Sequence, residues 1–274
     1  IGNRFRNTQV SLKYLVDGSP EFMKGIMHNV HMWGTWSGLT RTVRSGKPIT
    51  RQSMNERRGE WLEPFIAAMH ERAVKNASTI SGLLDLSGVS RVLDIGGGSG
   101  AYAMAFARKR KRIVATVFDL PNVVPITKKY IRKEGLPGKV KLVAGDYNID
   151  DLGSAYDLIF LSAIIHSNSS EQNRVLIQKA AHALRGNGQI VIQDFIMDEN
   201  RINPPLGAFF ALNMLVATDS GDTYTESEVK AWMADAGFTN IERKDTKFGT
   251  ALIIGRRSAA GPGPIKNRNL IRKP

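Results

Sequence analysis

The chain has 274 residues, 42% of them hydrophobic and 23% charged, the make-up of a globular protein with one large domain, or one domain and an appendage. It contains no cysteine, which excludes disulfides, thiolate nucleophiles and thiolate metal sites, and it shows neither a secretory signal nor an apolar run near the length of a membrane span, which points to the cytoplasm. The net charge is +13, but part of the excess sits in two local runs, "RKRKR" at 108–112 and "KNRNLIRKP" at the C-terminus, so a solvated basic surface and tail are expected rather than a nucleic-acid partner.

The chain starts at Ile1 and reads as a processed chain or an excised fragment. Residues 1–88 are helical in pattern. Ser19-Pro20 opens a segment over 20–48 in which Phe22, Ile26, Val30, Trp33 and Leu39 fall near helical spacing, until Gly46, Lys47 and Pro48 break it. A second helical segment covers 58–86. His28 and His31 stand three apart on the first. With no further ligand cluster nearby they read as packing or surface residues, and no metal is expected.

From Ser90 the pattern alternates strand and helix, the signature of an α/β fold with a largely parallel sheet. "RVLDI" is a strand and "GAYAMAFARKR" a helix. "RIVATVFDL" is a strand and "NVVPITKKYIRKEG" a helix. "KVKLVAGDY" and "YDLIFLSAII" are strands, and "SSEQNRVLIQKAAHALRG" is a helix that Gly186 is expected to end. "GQIVIQDFIM" is a strand, "NPPL" at 203–206 a loop breaker, and Thr225 with Glu228 a capping box for the next helix. "TNIERKDT" and "TALIIGRRS", joined by the turn "KFG", should pair antiparallel. The domains expected are a helical segment over 1–88, an α/β domain over 89–258 and a basic tail over 259–274.

"RVLDIGGGSGAY" carries the first chemistry. Gly96, Gly98 and Ala101 satisfy a dinucleotide fingerprint, yet Asp94 stands two residues before the first glycine, where a pyrophosphate would not want an anion. A ligand bearing an ammonium group tolerates that carboxylate. Asp119 ends the second strand, where a carboxylate accepts both hydroxyls of a ribose. Asp146 ends the third and can accept from an adenine amino group, with Tyr147 beside it to stack on the ring. The ligand expected therefore has a ribose and a positive charge and needs no phosphate; S-adenosyl-L-methionine fits. Each residue taken alone is ordinary strand-end turn chemistry.

"VLDIGGGSG", "VFDLP", "AGDY", "LSAIIH", "IVIQDFIMD" and "ALNMLVATDSGDTYTESEVKAWMADAGF", with "NTQVSLKYLVDGSP" and "FIAAMHERA" before them, resemble the class I O-methyltransferases of the plant caffeate and bacterial polyketide-tailoring type (acetylserotonin O-methyltransferase-like). The resemblance runs from Asn7 to about Arg257. It implies a doubly wound, seven-stranded, Rossmann-like methyltransferase sheet with the last strand antiparallel, preceded by a helical segment that serves as linker, substrate lid and remnant of a dimerisation domain. It places S-adenosyl-L-methionine at Gly96, Gly98, Asp119, Asp146 and Tyr147, and implies a homodimer. It places a general base at His166 and an orienting acid at Asp194. Where the family often has a lysine four residues before that histidine, this chain has Ser162, which is counted with the cofactor set alongside Asp94. Where it often has a second acid, this chain has Thr223, next to Asp222. Trp33, Met69, Phe210, Asn213 and Met214 are expected at the acceptor, with Trp36 and Phe209 as further candidates.

A hydroxyl is a poor nucleophile until it loses its proton, and a histidine held by a carboxylate can take that proton. The reading is methyl transfer to a hydroxyl of a small, aromatic acceptor. Ser167-Asn168 stand after His166, where the family usually has Asp-Trp or Asn-Trp. This keeps open the same scaffold and cofactor with changed chemistry, as hydroxylase, decarboxylase or cyclase. Charge alone suggests a third reading, an RNA-binding or RNA-modifying protein.

Overall fold

The computed structural model describes residues 4–48 and 52–257, so the basic tail lies outside the described residues. The helical segment consists of α1 (Gln9–Tyr14), α2 (Ile26–Trp36), α3 (Leu39–Ser45) and α4 (Gly59–Leu83). The single helical segment expected over 20–48 is thus divided. Turns occupy its first residues, and Ser37-Gly38 separates α2 from α3. Gly25 explains where α2 begins to dock. A Cβ there would lie 2.8 Å from Ala68 Cα, so only glycine lets the two backbones come this close. From that contact α2 runs antiparallel along α4, with His28 edge-on to Phe65 (ring centroids 5.2 Å apart) and His31 over Trp61 (6.2 Å). Burial lowers the His28 pKa to about 4, so this histidine is a neutral packing residue. Among the described residues no three metal-ligating side chains gather.

The α/β part follows as β1 (Arg91–Ile95), α5 (Ala101–Lys109), β2 (Val114–Asp119), α6 (Val124–Lys133), β3 (Val140–Ala144), β4 (Tyr156–Ser162), α7 (Ser170–Ala183), β5 (Leu184–Asp194), β6 (Ile196–Met197), α8 (Pro205–Ala217), β7 (Tyr224–Thr225), α9 (Glu226–Asp235), β8 (Phe238–Asp245) and β9 (Ala251–Arg257). Seven strands form one sheet in the order β3-β2-β1-β4-β5-β9-β8, and only β9 runs against the rest. The central strands read as unbroken apolar runs because both their faces are covered. Leu93, Ile159, Leu161, Ile190 and Ile192 point into the layer that holds Trp232 of α9. Val92, Leu158, Phe160 and Val191 point into the layer that holds Ile80, Tyr102 and Phe106. Each such fully buried side chain contributes about 1.5–3 kcal/mol, which fixes the strand registers.

Three boundaries differ from expectation. The helix expected to end at Gly186 stops at Ala183, because Leu184 is already extended (φ −78°, ψ 148°), buried and paired with Tyr156; an apolar side chain seeking the core decides the boundary, and Gly186 falls inside the irregular lead-in of β5. The strand expected over 188–197 is two: β5 stays in the main sheet, while β6 pairs with β7 in a separate two-stranded sheet. "NPPL" does break the preceding loop, through a cis Asn203–Pro204 peptide, but Pro205 then occupies the first turn of α8, where a missing N–H costs nothing. The capping box is present: Thr225 Oγ1 accepts the Glu228 amide, and the Glu228 carboxylate accepts the Thr225 amide at 2.8 Å.

Candidate active site

Strands β1 to β5 are parallel, so their carboxyl ends share one edge of the sheet, where ligands of open α/β sheets bind. In spatial order that edge carries Asp146 after β3, Asp119 at the end of β2, the glycine loop after β1, His166 after β4, and Asp194 at the end of β5. The five strand-end features read from sequence thus stand side by side.

The loop and its neighbouring acid form one unit. Gly98, with φ +56°, donates its N–H to Asp119 Oδ2 at 2.7 Å, and Leu120 N–H donates to Asp119 Oδ1 at 2.7 Å. At Gly96 a Cβ would overlap the Ile164 side chain, so the loop approaches β4 only without one. Burial raises the Asp119 carboxyl to about 6, against the pull of the two amides. Asp94 lies fully buried. Its Oδ2 accepts the Ala103 amide of α5 at 3.2 Å, while Oδ1 has no partner. Burial raises this carboxyl to about 8. Asp146 Oδ1 accepts from the Asn148 backbone and side-chain amides, and its Oδ2 accepts from Asn55 Nδ2 at 3.0 Å. The Tyr147 hydroxyl donates to Asn168 Oδ1 at 3.1 Å, and burial pushes it up to about 12. Ser162 donates to Gln193 Oε1 at 3.1 Å, within the sheet.

His166 sits on a short 3-10 turn, Ile165–Ser167, that leaves β4 through Ala163 at φ +57°. Its Nδ1 lies 2.8 Å from Asp194 Oδ1, with both side chains buried. A carboxylate can only accept, so Nδ1 carries a proton, and in the neutral tautomer this leaves the lone pair on Nε2. Among the described residues no hydrogen bond reaches Nε2. Phe195 N–H also donates to Asp194 Oδ1, at 2.8 Å, and holds the acid in place. The turn is clamped from outside by the loop in which the sequence pointed to Thr223 and Asp222, but through backbone rather than an acid: Asp222 N–H donates to His166 O at 3.0 Å, and a Cβ at Gly221 would overlap that same oxygen. The Asp222 carboxylate turns away, to the Thr223 amide and to Arg201 at 3.6 Å.

A family model for the O-methyltransferase domain matches residues 46–239. The chain belongs to the O-methyltransferase family. This family uses S-adenosyl-L-methionine. The chain is 32% identical to the 3-hydroxy-5-methyl-1-naphthoate 3-O-methyltransferase of Streptomyces sahachiroi over 244 residues, 87% of this chain and 70% of that one. Its fold superposes on an O-methyltransferase family protein from Burkholderia thailandensis with a TM-score of 0.82 at 26% identity, covering 94% of this chain and 79% of that one. The human N-acetylserotonin methyltransferase, solved with S-adenosylmethionine, gives 0.79 at 26% identity over 92% and 75%.

In this O-methyltransferase α8 forms the wall over the histidine. Phe210 meets the His166 ring edge-on (centroids 4.7 Å apart) and stacks on Phe195 at 4.2 Å. Asn213 Oδ1 accepts the Trp36 indole N–H at 2.9 Å, which ties α8 to α2. Met214 is buried and Met69 half-buried. Trp33 is not drawn into this wall; it is 80% exposed on the outer face of α2. The cations gather elsewhere. Arg91, Arg112 and Lys141 line a groove of ≈500 Å³ at the amino ends of β1–β3, the edge opposite the histidine.

Proposed function

We propose that this O-methyltransferase methylates a hydroxyl of a small aromatic acceptor, with His166 as general base and Asp194 as the group that orients it. The observation that carries the reading is the buried Nδ1–Asp194 pair, which leaves Nε2 as a free acceptor on the ligand edge of the sheet. Bound S-adenosyl-L-methionine supplies a methyl group on a sulfonium sulfur, already activated for displacement. The donor set suits it. Asp119 retains lone pairs for two ribose hydroxyls, Asp146 is an acceptor for an adenine amino group, and Tyr147 offers a ring face. Gly96 and Gly98 allow close approach, while Asp94, fully buried beneath the loop, braces the start of α5 through the Ala103 amide rather than facing the ligand. Ser162 lies between these groups and β5 and steadies the base of the cleft through Gln193.

His166 Nε2 takes the hydroxyl proton as the oxygen gains its methyl, and Asp194 stabilises the resulting imidazolium. Phe210 and Phe195 keep water from the reacting oxygen, while Met69, Asn213 and Met214 shape the acceptor space beside them. The relatives that act on a hydroxynaphthoate and on N-acetylserotonin support an aromatic acceptor. A panel of phenolic metabolites offered with methyl-labelled donor should yield O-methylated products from flat, fused-ring phenols. Label on carbon or nitrogen, or donor consumption without methylated product, would favour the altered-chemistry reading.

The same reading gives the outer apolar face a use. Met23, Met27, Val30 and Trp33 beside α2, and Leu206 and Phe209 on α8, are exposed, and apolar surface of this kind marks a protein interface. We assign it to a second copy of the chain, consistent with a homodimer; sedimentation should show a concentration-dependent dimer, and a strict monomer at all concentrations removes this assignment.

A further inference from the structure

The cofactor loop reads Gly96-Gly97-Gly98-Ser99-Gly100. Ser99 is its only residue with a side chain to hold, and that side chain is spoken for. The Ser99 hydroxyl lies 2.8 Å from Nδ1 of His70 on α4. The serine is buried, at 3% exposure. The His70 ring in turn packs on the Tyr130 ring of α6 at a centroid distance of 4.1 Å. Burial lowers the His70 pKa, which keeps the ring neutral, and the serine hydroxyl, able to donate or accept, satisfies Nδ1 in either tautomer. The same loop is held from α6 at a second point, where the Thr127 hydroxyl donates to Gly98 O at 2.5 Å. Ile66, one turn before His70 on α4, comes within 3.8 Å of where a Gly98 Cβ would stand.

A run of four glycines in five residues has high conformational entropy in the absence of restraint, and a loop that must be ordered on binding loses affinity by that cost. We propose that His70 is a positioning residue: through Ser99 it holds the glycine loop of the ligand-free enzyme in the conformation that receives S-adenosyl-L-methionine. This rests on the reading of the loop as the cofactor site.

The test uses the full chain. In His70→Ala, amides 96–100 should exchange faster with deuterated water in the absence of any ligand, while the core strands keep their protection. Affinity for S-adenosylhomocysteine should fall roughly 3- to 10-fold, the scale of one net hydrogen bond, with kcat at saturating cofactor and the acceptor KM unchanged. Ser99→Ala should give the same loss, and the double variant no more than either single one, because both remove one contact. His70→Asn, whose amide can reach the position of Nδ1, should restore most of the affinity. Unchanged loop exchange, additive losses, or a fall confined to kcat would each overturn the proposal. Wild-type protein that binds no S-adenosylhomocysteine sinks the cofactor reading and the clamp together; an intact His70→Ala beside an impaired Asp119→Ala sinks the clamp alone.

Discussion

His166→Ala is expected to bind S-adenosylhomocysteine as the wild type does and to lose turnover by about 10²-fold or more. The ring is buried against Phe210, and its Nδ1 is committed to Asp194, so the alanine removes the Nε2 acceptor that stands beneath α8. Asp194→Asn separates orientation from charge. An amide can keep the ring in place but can donate to Nδ1, which would move the imidazole proton to Nε2 and blind the base. Its loss should therefore approach that of the histidine variant, whereas a residue that only packs would cost little. Acceptors with an acidic hydroxyl should partly rescue His166→Ala, because they arrive already ionised. Full turnover of an ordinary phenol by His166→Ala would reduce His166 to a strand-end residue.

Asp119→Ala should lose roughly 1.5–3 kcal/mol of cofactor affinity, the scale of hydrogen bonds to a charged group, read by calorimetry with S-adenosylhomocysteine. The pH dependence gives a second measure. Burial holds this carboxyl up at about 6. The ionised form accepts two hydroxyls, so a proton and the cofactor compete. Affinity should fall as pH drops through about 6, level off above it, and lose this dependence in Asp119→Asn. Tighter binding of NAD than of S-adenosylhomocysteine would overturn the cofactor assignment.

The strand-end residues were legible because the chemistry there is local. Asp119 and His166 each stand at the end of an apolar run that reads as a buried strand, Asp146 follows the half-exposed edge strand β3, and parallel strands bring their ends to one edge. The contacts that hold them were not legible. Gly221 against His166 O, Asn55 against Asp146 and His70 against Ser99 join segments far apart in the chain, and a loop glycine or a helical histidine has many ordinary uses. Trp33 shows a second reason. α2 is apolar on more than one face, so periodicity announces a helix without saying which face docks; the close approach at Gly25 settles it, and Trp33 falls outside. Asp94 shows a third, since an acid beside a glycine loop reads as facing the ligand, and one full turn of packing suffices to bury it.

The reversed strand β9 has a consequence for how the protein is made. It lies between β5 and β8 and is the last strand of the sheet to leave the ribosome. Until then β5 presents an open edge with Ile190, Val191 and Ile192 in the middle of it, all of which end fully buried. Such an edge is a template for pairing with another chain, and a nascent chain cannot close it with its own residues. Premature termination before β9 would therefore yield an aggregating species rather than a smaller enzyme, although every residue of the candidate active site would already have been synthesised.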